Sequence, residues 1–537
     1  MKEDNEKVEE KKVIISEEDE GDFQGAGFED DGEDEIIIVD EEEKVMGKKL
    51  YDYQEEDLKS IFERIHNCPS NYNLVYQLPT GGGKTVVFSE IARRYIEMTG
   101  KRVFILTHRI ELSKQTSRML SEFGVKNMVI NSQVKEIPDY EDYMCFVAMV
   151  ETLHNRLNDE KVTLEDVGLV IIDEAHYNSF RKLFKYFETC FILGVTATPL
   201  SSSVKLPMKD SYDELLVGSS IQSLIAKKYL SKATTLSYDV GLGSLKVGVN
   251  GDYTVASSDE LYNSLMMRSK LLYAYNQTAK KTKTLIFNNG INTSQYVYET
   301  FRAEGYPIRH LDNTHSKKER KFILEWFKQT PGAILTSVSI LTTGFDEPTI
   351  ETIVLNRATR SLSLYLQMIG RGSRILPTKP TFQVIDMGNN IARFGPWSSD
   401  FDWQKIFRNP TLFLDTLITD EDLERLFKYK MPDHIRQKFA NSENIIFDVD
   451  EEYKKVVSEK LKSEVVIERA IQQHHKIITE NAESLMDALG LIRLLRDDIH
   501  DRIRHYCYNI SNSTRNFRDW AVEDYTSKLK KRAMNEF

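Results

Sequence analysis

The sequence predicts an α/β protein: two parallel-sheet units in series, then a mainly helical C-terminal region, all preceded by a disordered acidic N-terminal tail. Three observations lead there. Short, β-branched, continuously apolar runs alternate with helical stretches twice over. A glycine-rich loop falls between a strand and a helix of the first unit. Beyond about residue 400 the apolar spacing becomes helical.

The tail is residues 1–47. It carries 20 Asp and Glu against 5 Lys, in runs such as Glu17-Glu18-Asp19-Glu20 and Glu41-Glu42-Glu43. Self-repulsion and sparse apolar content predict disorder. Two apolar patches, Val13-Ile14-Ile15 and residues 36–39, are candidate docking points for protein partners in an otherwise solubilising segment. The rest of the chain balances 66 Lys and Arg against 63 Asp and Glu. The net charge of -12 therefore belongs to the tail, and it does not exclude a nucleic-acid partner for the body.

The first unit spans 48–235. Its strands are read at 73–77, 102–106, 145–148, 169–172 and 191–195, with the glycine-rich loop after the first and a helix through Tyr95. The second unit spans 236–400, with strands at 284–287, 333–336, 352–355 and 382–385. Runs apolar on both faces are those of parallel strands covered by helices on both sides. In residues 401–537, Leu485, Leu489, Ile492, Ile499, Ile503 and Tyr506 recur at spacings of three, four or seven. They form one helical packing stripe, a face for neighbouring helices or a protein partner. The adjacent His474 and His475 have no cysteine near them and read as helix-surface residues.

Cys68, Cys145, Cys190 and Cys507 lie far apart and match neither zinc nor disulfide spacing. There is no signal peptide and no apolar run of bilayer length, so a cytoplasmic protein without membrane partners is expected.

The chemistry begins at Leu78-Pro79-Thr80-Gly81-Gly82-Gly83-Lys84-Thr85. Backbone amides of Thr80, Gly81, Gly82 and Gly83 can cradle phosphate oxygens, and the helix that follows adds a favourable dipole. Lys84 can reach the β- and γ-phosphates of ATP, and Thr85 can ligate Mg2+. The strict pattern asks for glycine where Leu78 stands. After the strand at 169–172 comes Asp173-Glu174-Ala175-His176. A carboxylate at that strand end suits Mg2+, a role for Asp173, and Glu174 is placed to orient or deprotonate the attacking water. His176 can link the phosphate site to other parts of the molecule.

With these and further motifs in order, the chain resembles the superfamily 2 helicases of the DEAH-box type over about residues 48–390. Tyr51-Asp52-Tyr53-Gln54 looks like the adenine-recognition segment, with Gln54 as base reader. The family's P-loop often lacks its first glycine, which accommodates Leu78. Thr107-His108-Arg109-Ile110-Glu111-Leu112 is similar to the nucleic-acid-contacting motif of the first domain. Thr196-Ala197-Thr198-Pro199 matches the motif coupling hydrolysis to movement. Thr342-Thr343-Gly344-Phe345-Asp346 matches the fifth motif, and residues 367–374 the sixth, a QxxGRxxR pattern.

The resemblance implies two RecA-like domains, 48–235 and 236–400, sharing one ATP site, with 401–537 as an accessory region. It implies Arg371 and Arg374 as arginine fingers, Gly344, Asp346 and His176 on the nucleotide side, and Thr107, Arg109 and Thr343 as contacts to strand phosphates. An arginine fork is suited to the charge that builds on γ-phosphate oxygens. The expected function is an ATP-dependent helicase or translocase, on DNA rather than RNA. The Thr-Ala-Thr-Pro form with His-Arg-x-Glu-Leu looks more like RadD-type and type III restriction-like DNA translocases than like RNA-remodelling DEAD proteins. RadD-type proteins carry a cysteine-rich element after the motor, which is not found here. The alternative expectation is a motor subunit or duplex-binding switch of a restriction, defence or repair complex, without strand separation of its own.

Overall fold

The computed structural model describes residues 49–537, apart from 133, 135–139, 160–161, 163, 204, 239, 339–340, 342–344, 428, 432, 444 and 511–514. The tail at 1–47 and its two apolar patches lie outside the described residues.

The apolar runs build the first sheet from β1 (Asn73–Gln77), β2 (Arg102–Thr107), β3 (Asn127–Ile130), β4 (Cys145–Met149), β5 (Val167–Asp173), β6 (Phe191–Thr196) and β7 (Glu214–Val217). Their order is β3-β4-β2-β5-β6-β1-β7, with every pair parallel. Successive side chains point to opposite faces. Leu74, Tyr76, Val103, Ile105, Leu169 and Ile171 therefore enter one core, while Val75, Phe104, Leu106, Val170 and Ile172 enter another across the sheet. This is why the central strands have no polar face.

The second sheet holds β8 (Lys232–Ser237), β9 (Thr284–Asn288), β10 (Ile308–Leu311), β11 (Ile334–Val338), β12 (Thr352–Asn356) and β13 (Thr381–Asp386). Its order is β10-β11-β9-β12-β13-β8, again parallel throughout. β8 pairs with β13 from Lys232 onward, so this sheet already includes residues before 236.

Two features position the site. In the first sheet β5, β6 and β1 are neighbours, so their carboxyl ends bring the loops after Gln77, Asp173 and Thr196 side by side. After β13 the chain also turns back onto the first sheet. Trp397 is buried edge-on to Phe382 at 5.8 Å, Phe401 and Trp403 pack at 5.1 Å, and Phe407 enters the core beneath the first sheet. Gln404 Nε2 donates to the carbonyl of Leu215 in edge strand β7 at 2.7 Å.

The C-terminal region is helical, with a core shared by Val449–Ser458, Glu464–Thr479, Leu485–Leu494, Arg496–Asn509 and Arg515–Glu536. The expected stripe is divided between two helices that meet at buried Leu495; Ile492, Ile499, Ile503 and Tyr506 are buried, and Leu485 and Leu489 half-buried. His474 is not a surface residue. It is wholly buried, with Nε2 against Asp498 Oδ2 at 2.7 Å and Nδ1 against the Tyr525 hydroxyl at 2.8 Å. Burial pushes its imidazole down to about 4, so a neutral ring bridges the two helices, and Arg502 Nε holds Asp498 at 2.5 Å. Among the described residues no helix is long and apolar enough to cross a membrane.

This bundle is joined to the second sheet through Glu424. One carboxylate oxygen accepts from Arg504 Nη1 at 2.5 Å and the other from the Leu242 amide at 2.6 Å, with both charged side chains buried. Glu424→Ala leaves the Leu242 amide and Arg504 Nη1 without their acceptor while Asp501 and the Phe427 carbonyl still hold the guanidinium, and a loss of about 1–3 kcal/mol is expected in chemical denaturation. A loss below about 1 kcal/mol would mean that water screens the pair.

Candidate functional site

The glycine-rich loop is shaped by its own side chains and by Tyr53 and Gln54. Gly81 and Gly83 take φ of 93° and 82°, the region where a side chain is strained, and Gly83 caps the helix Lys84–Thr99. Leu78 is fully buried and floors the loop: a Cβ on Gly82 would lie 2.8 Å from its Cγ. Tyr53 Oη donates to the Gly82 carbonyl at 2.7 Å. Gln54 Nε2 donates to the same carbonyl at 3.2 Å, and its Oε1 accepts from the Tyr51 amide at 2.9 Å. The side chain expected to read a base thus braces the phosphate loop and the start of helix Asp52–Asn67. Thr80 is buried, and Thr85 stands in the first turn after Lys84.

Asp173 closes β5, and Glu174 follows at φ 54°, a left-handed conformation unusual for glutamate. Both are buried. Burial, with the Glu174 charge beside it, pushes the Asp173 carboxyl up to about 7. Burial also acts on Glu174, but the charge of Lys84, with that of Arg371, outweighs it and holds that carboxyl below its usual range. Glu174 Oε2 makes no hydrogen bond, and it lies 3.4 Å from His176 Nδ1. His176 Nδ1 pairs with Thr196 Oγ1 at 2.9 Å, and Thr196 Oγ1 accepts from the Thr198 amide at 3.1 Å. The loops after β5 and β6 are therefore tied together.

The second sheet contributes from across the cleft. Helix Leu362–Gly370 ends against the loop: a Cβ on Gly370 would lie 2.5 Å from Thr80 Cγ2. Arg371 Nη1 donates to the Phe345 carbonyl at 2.6 Å, and Arg374 Nε to Asp346 Oδ1 at 2.8 Å. Arg374 Nη1 is buried and unpartnered. Burial and the charges of Arg374 and Arg109 push the Arg371 guanidinium down to about 10. Burial also lowers Lys84, opposed by Glu174 and Asp173 and reinforced by Arg371 and Arg374. Lys84, Arg371 and Arg374 thus converge on the two carboxylates. Crowded, desolvated cations with an unsatisfied donor and an unsatisfied carboxylate oxygen suit a polyanion and its counter-ion.

Of the expected strand contacts, Thr107 is misplaced. It is fully buried at the end of β2 with its hydroxyl paired to Ser113 Oγ at 2.6 Å, because it closes the strand under the helix Ile110–Glu122. Arg109 caps that helix and is half-buried. Thr343 and Gly344 lie outside the described residues. Lys379 gave no signal in the sequence, where a lone lysine reads as surface. It is buried, its Nζ donates to the carbonyls of Gly372 and Ile350, both at 2.9 Å, and burial with nearby Arg374 pushes it down to about 8. It thereby fixes the backbone between the two arginines.

Residues 47–201 match the family model of the type III restriction enzyme res subunit, and residues 266–376 that of the helicase conserved C-terminal domain. The Saccharomyces cerevisiae protein with the name "Putative ATP-dependent helicase IRC3" is 30% identical over 357 residues, 63% of this chain and 51% of its own. A 51.5 kDa protein of a Lactococcus phage is 29% identical over 335 residues, 62% of this chain and 69% of its own. The EcoAI type I restriction endonuclease subunit of Escherichia coli is 24% identical over 389 residues, 63% of this chain and 46% of its own. The chain thus spans about half the length of IRC3 and of the EcoAI subunit. The solved type ISP restriction-modification enzyme LlaBIII bound to DNA shares the fold, with a TM-score of 0.50 at 13% identity over 90% of this chain and 41% of that one.

A carboxyl raised to about 7 holds a proton that the unfolded chain has released above 3.8. Folding then takes up a proton, and stability falls as pH rises from about 4 to about 7. Thermal melts across that range should show Asp173→Asn gaining on the unaltered chain as pH rises. Parallel curves would mean that Asp173 is not desolvated.

Proposed function

We propose that the chain is a superfamily 2 helicase of the restriction-enzyme type, that it hydrolyses ATP in the cleft between its two sheets, and that it uses closure of that cleft to move along DNA. The observation that carries this is the convergence of Lys84 on one side, and Arg371 and Arg374 on the other, upon Asp173 and Glu174. The amides of Thr80, Gly81, Gly82 and Gly83 and the Lys84 ammonium bind the phosphates. Thr85 and Asp173 would hold Mg2+, which supplies charge neutralisation on the phosphate oxygens. Glu174, kept ionised by its cationic neighbours, takes the proton of the attacking water. Arg371 and Arg374 stabilise the charge that develops in transfer, Asp346 orients Arg374, and His176 passes the state of the site to Thr196. Gln54, which braces the loop, is assigned to adenine, and Gly344 to the nucleotide side, on the resemblance alone.

Arg109 and Thr343 are assigned to strand phosphates, which position the strand without reading its sequence. We assign DNA rather than RNA on the restriction-type match of the first domain. The four scattered cysteines suit a reducing cytoplasm. The second reading, a motor subunit of a restriction or defence complex, is favoured by the likeness to the EcoAI subunit. Co-purification with a nuclease, and translocation without strand displacement, would support it over an autonomous helicase.

Turnover of ATP measured with single- and double-stranded DNA and RNA should rise most with DNA; equal rates throughout would sink the motor reading. Lys84→Ala should lower turnover by about 10²-fold or more. Arg371→Ala should retain nucleotide binding, followed with a fluorescent ATP analogue, and lose about 10³-fold in kcat. Unchanged turnover would remove the arginine from the reaction.

A further inference from the structure

The turn that carries Glu174 is held by more than the phosphate site requires. The Tyr177 amide donates to the Glu174 carbonyl at 3.1 Å, so this tyrosine closes the turn in its left-handed conformation. The Tyr177 ring packs against two imidazoles. It is 4.3 Å from His176 at an interplanar angle of 35°, and 4.4 Å from His108 at 44°. Both ring nitrogens of His108 are buried and make no hydrogen bond. Burial and adjacent Arg109 keep the ring neutral. An imidazole that uses neither nitrogen serves by its face, as ring contacts at these separations do.

From His108 the chain runs straight into the cleft. Arg109 caps the helix Ile110–Glu122, and its carbonyl accepts from the Ser113 amide at 3.1 Å and from Ser113 Oγ at 3.2 Å. Residues 109–113 therefore move as one piece. In the first turn of that helix Glu111 Oε1 accepts from Arg320 Nη1 at 3.2 Å, and Arg320 belongs to the helix Lys317–Gln329 of the second domain. Glu111 is more than half exposed, so the ion pair contributes little to stability. Its information is positional: it reports where the second domain stands.

We propose that Tyr177 and His108 are positioning residues that make the placement of Glu174 depend on closure of the cleft, with Glu111 and Arg320 as the contact that senses closure. A shift of the helix Lys317–Gln329 moves residues 109–113, and the two ring faces carry that shift to the turn at 174–177. This rests on the reading that Glu174 acts on the attacking water. It adds a route from the second domain to the carboxylate that bypasses the arginines.

The test is a cycle of ATP turnover in the full chain. Tyr177→Leu, His108→Ala and Arg320→Glu should each lower kcat about tenfold and leave KM within about twofold. Tyr177→Leu combined with Arg320→Glu should fall no further than either alone. His108→Phe and Tyr177→Phe, which keep the ring faces, should stay within about twofold of the unaltered chain, and Glu111→Arg with Arg320→Glu should recover turnover. Effects that multiply in the double variant, or a His108→Phe as slow as His108→Ala, would overturn the relay. Glu174→Gln separates the two readings: normal turnover in that variant removes the carboxylate's role, whereas an inactive Glu174→Gln beside multiplicative single effects removes only the relay.

Discussion

The cleft depends on how closely two backbones approach. A side chain on Gly370 would overlap Thr80, and one on Gly81 would come within 2.6 Å of Ser373 Oγ and 2.8 Å of Arg374 Nη1. Only glycine on both sides lets the phosphate loop and the arginine segment meet. The connection between the domains holds the same place, because the Ser231 amide donates to the Ser373 carbonyl at 2.8 Å and Leu230 bridges Arg374. Arg371 and Arg374 come within electrostatic reach of Lys84 because nothing larger intervenes.

That approach has an electrostatic cost which the site divides unevenly. Two neighbouring carboxylates share a desolvated corner, and their environments push them apart: Asp173 upward, Glu174 downward. Adjacent acids separated in this way can take different roles at one pH. The left-handed backbone at Glu174 is part of the same arrangement, since the chain turns there directly after the strand end that holds the first carboxylate.

Legibility in the sequence followed burial. Strands covered on both faces, such as β1 and β9, were readable because every residue is apolar or tightly packed. The strands missed, β3, β7, β8 and β10, are all edges, and β8 exposes Lys232, Thr234, Ser237 and Leu236 to water, leaving no continuous run to read. Lys84, Asp173 and Glu174 lie together because Lys84 starts a helix after β1 and the two acids stand at the end of β5, while Arg371 and Arg374 follow the end of the helix Leu362–Gly370. Thr107 and His474 were misread for one reason. Their partners, Ser113 for one and Asp498 and Tyr525 for the other, are supplied by tertiary packing, which spacing along the chain does not show. Lys379 was invisible for the same reason.

The return of residues 397–407 to the first domain has a geometric consequence. The chain crosses between the domains near Leu230 and again where Trp403 and Phe407 seat themselves. Two bodies pinned at two separate points can turn about the line joining the pins, but they cannot drift apart or twist freely. The cleft is therefore a door on two hinges rather than a pair of beads on a string, and whatever opens it is channelled into a single angular motion.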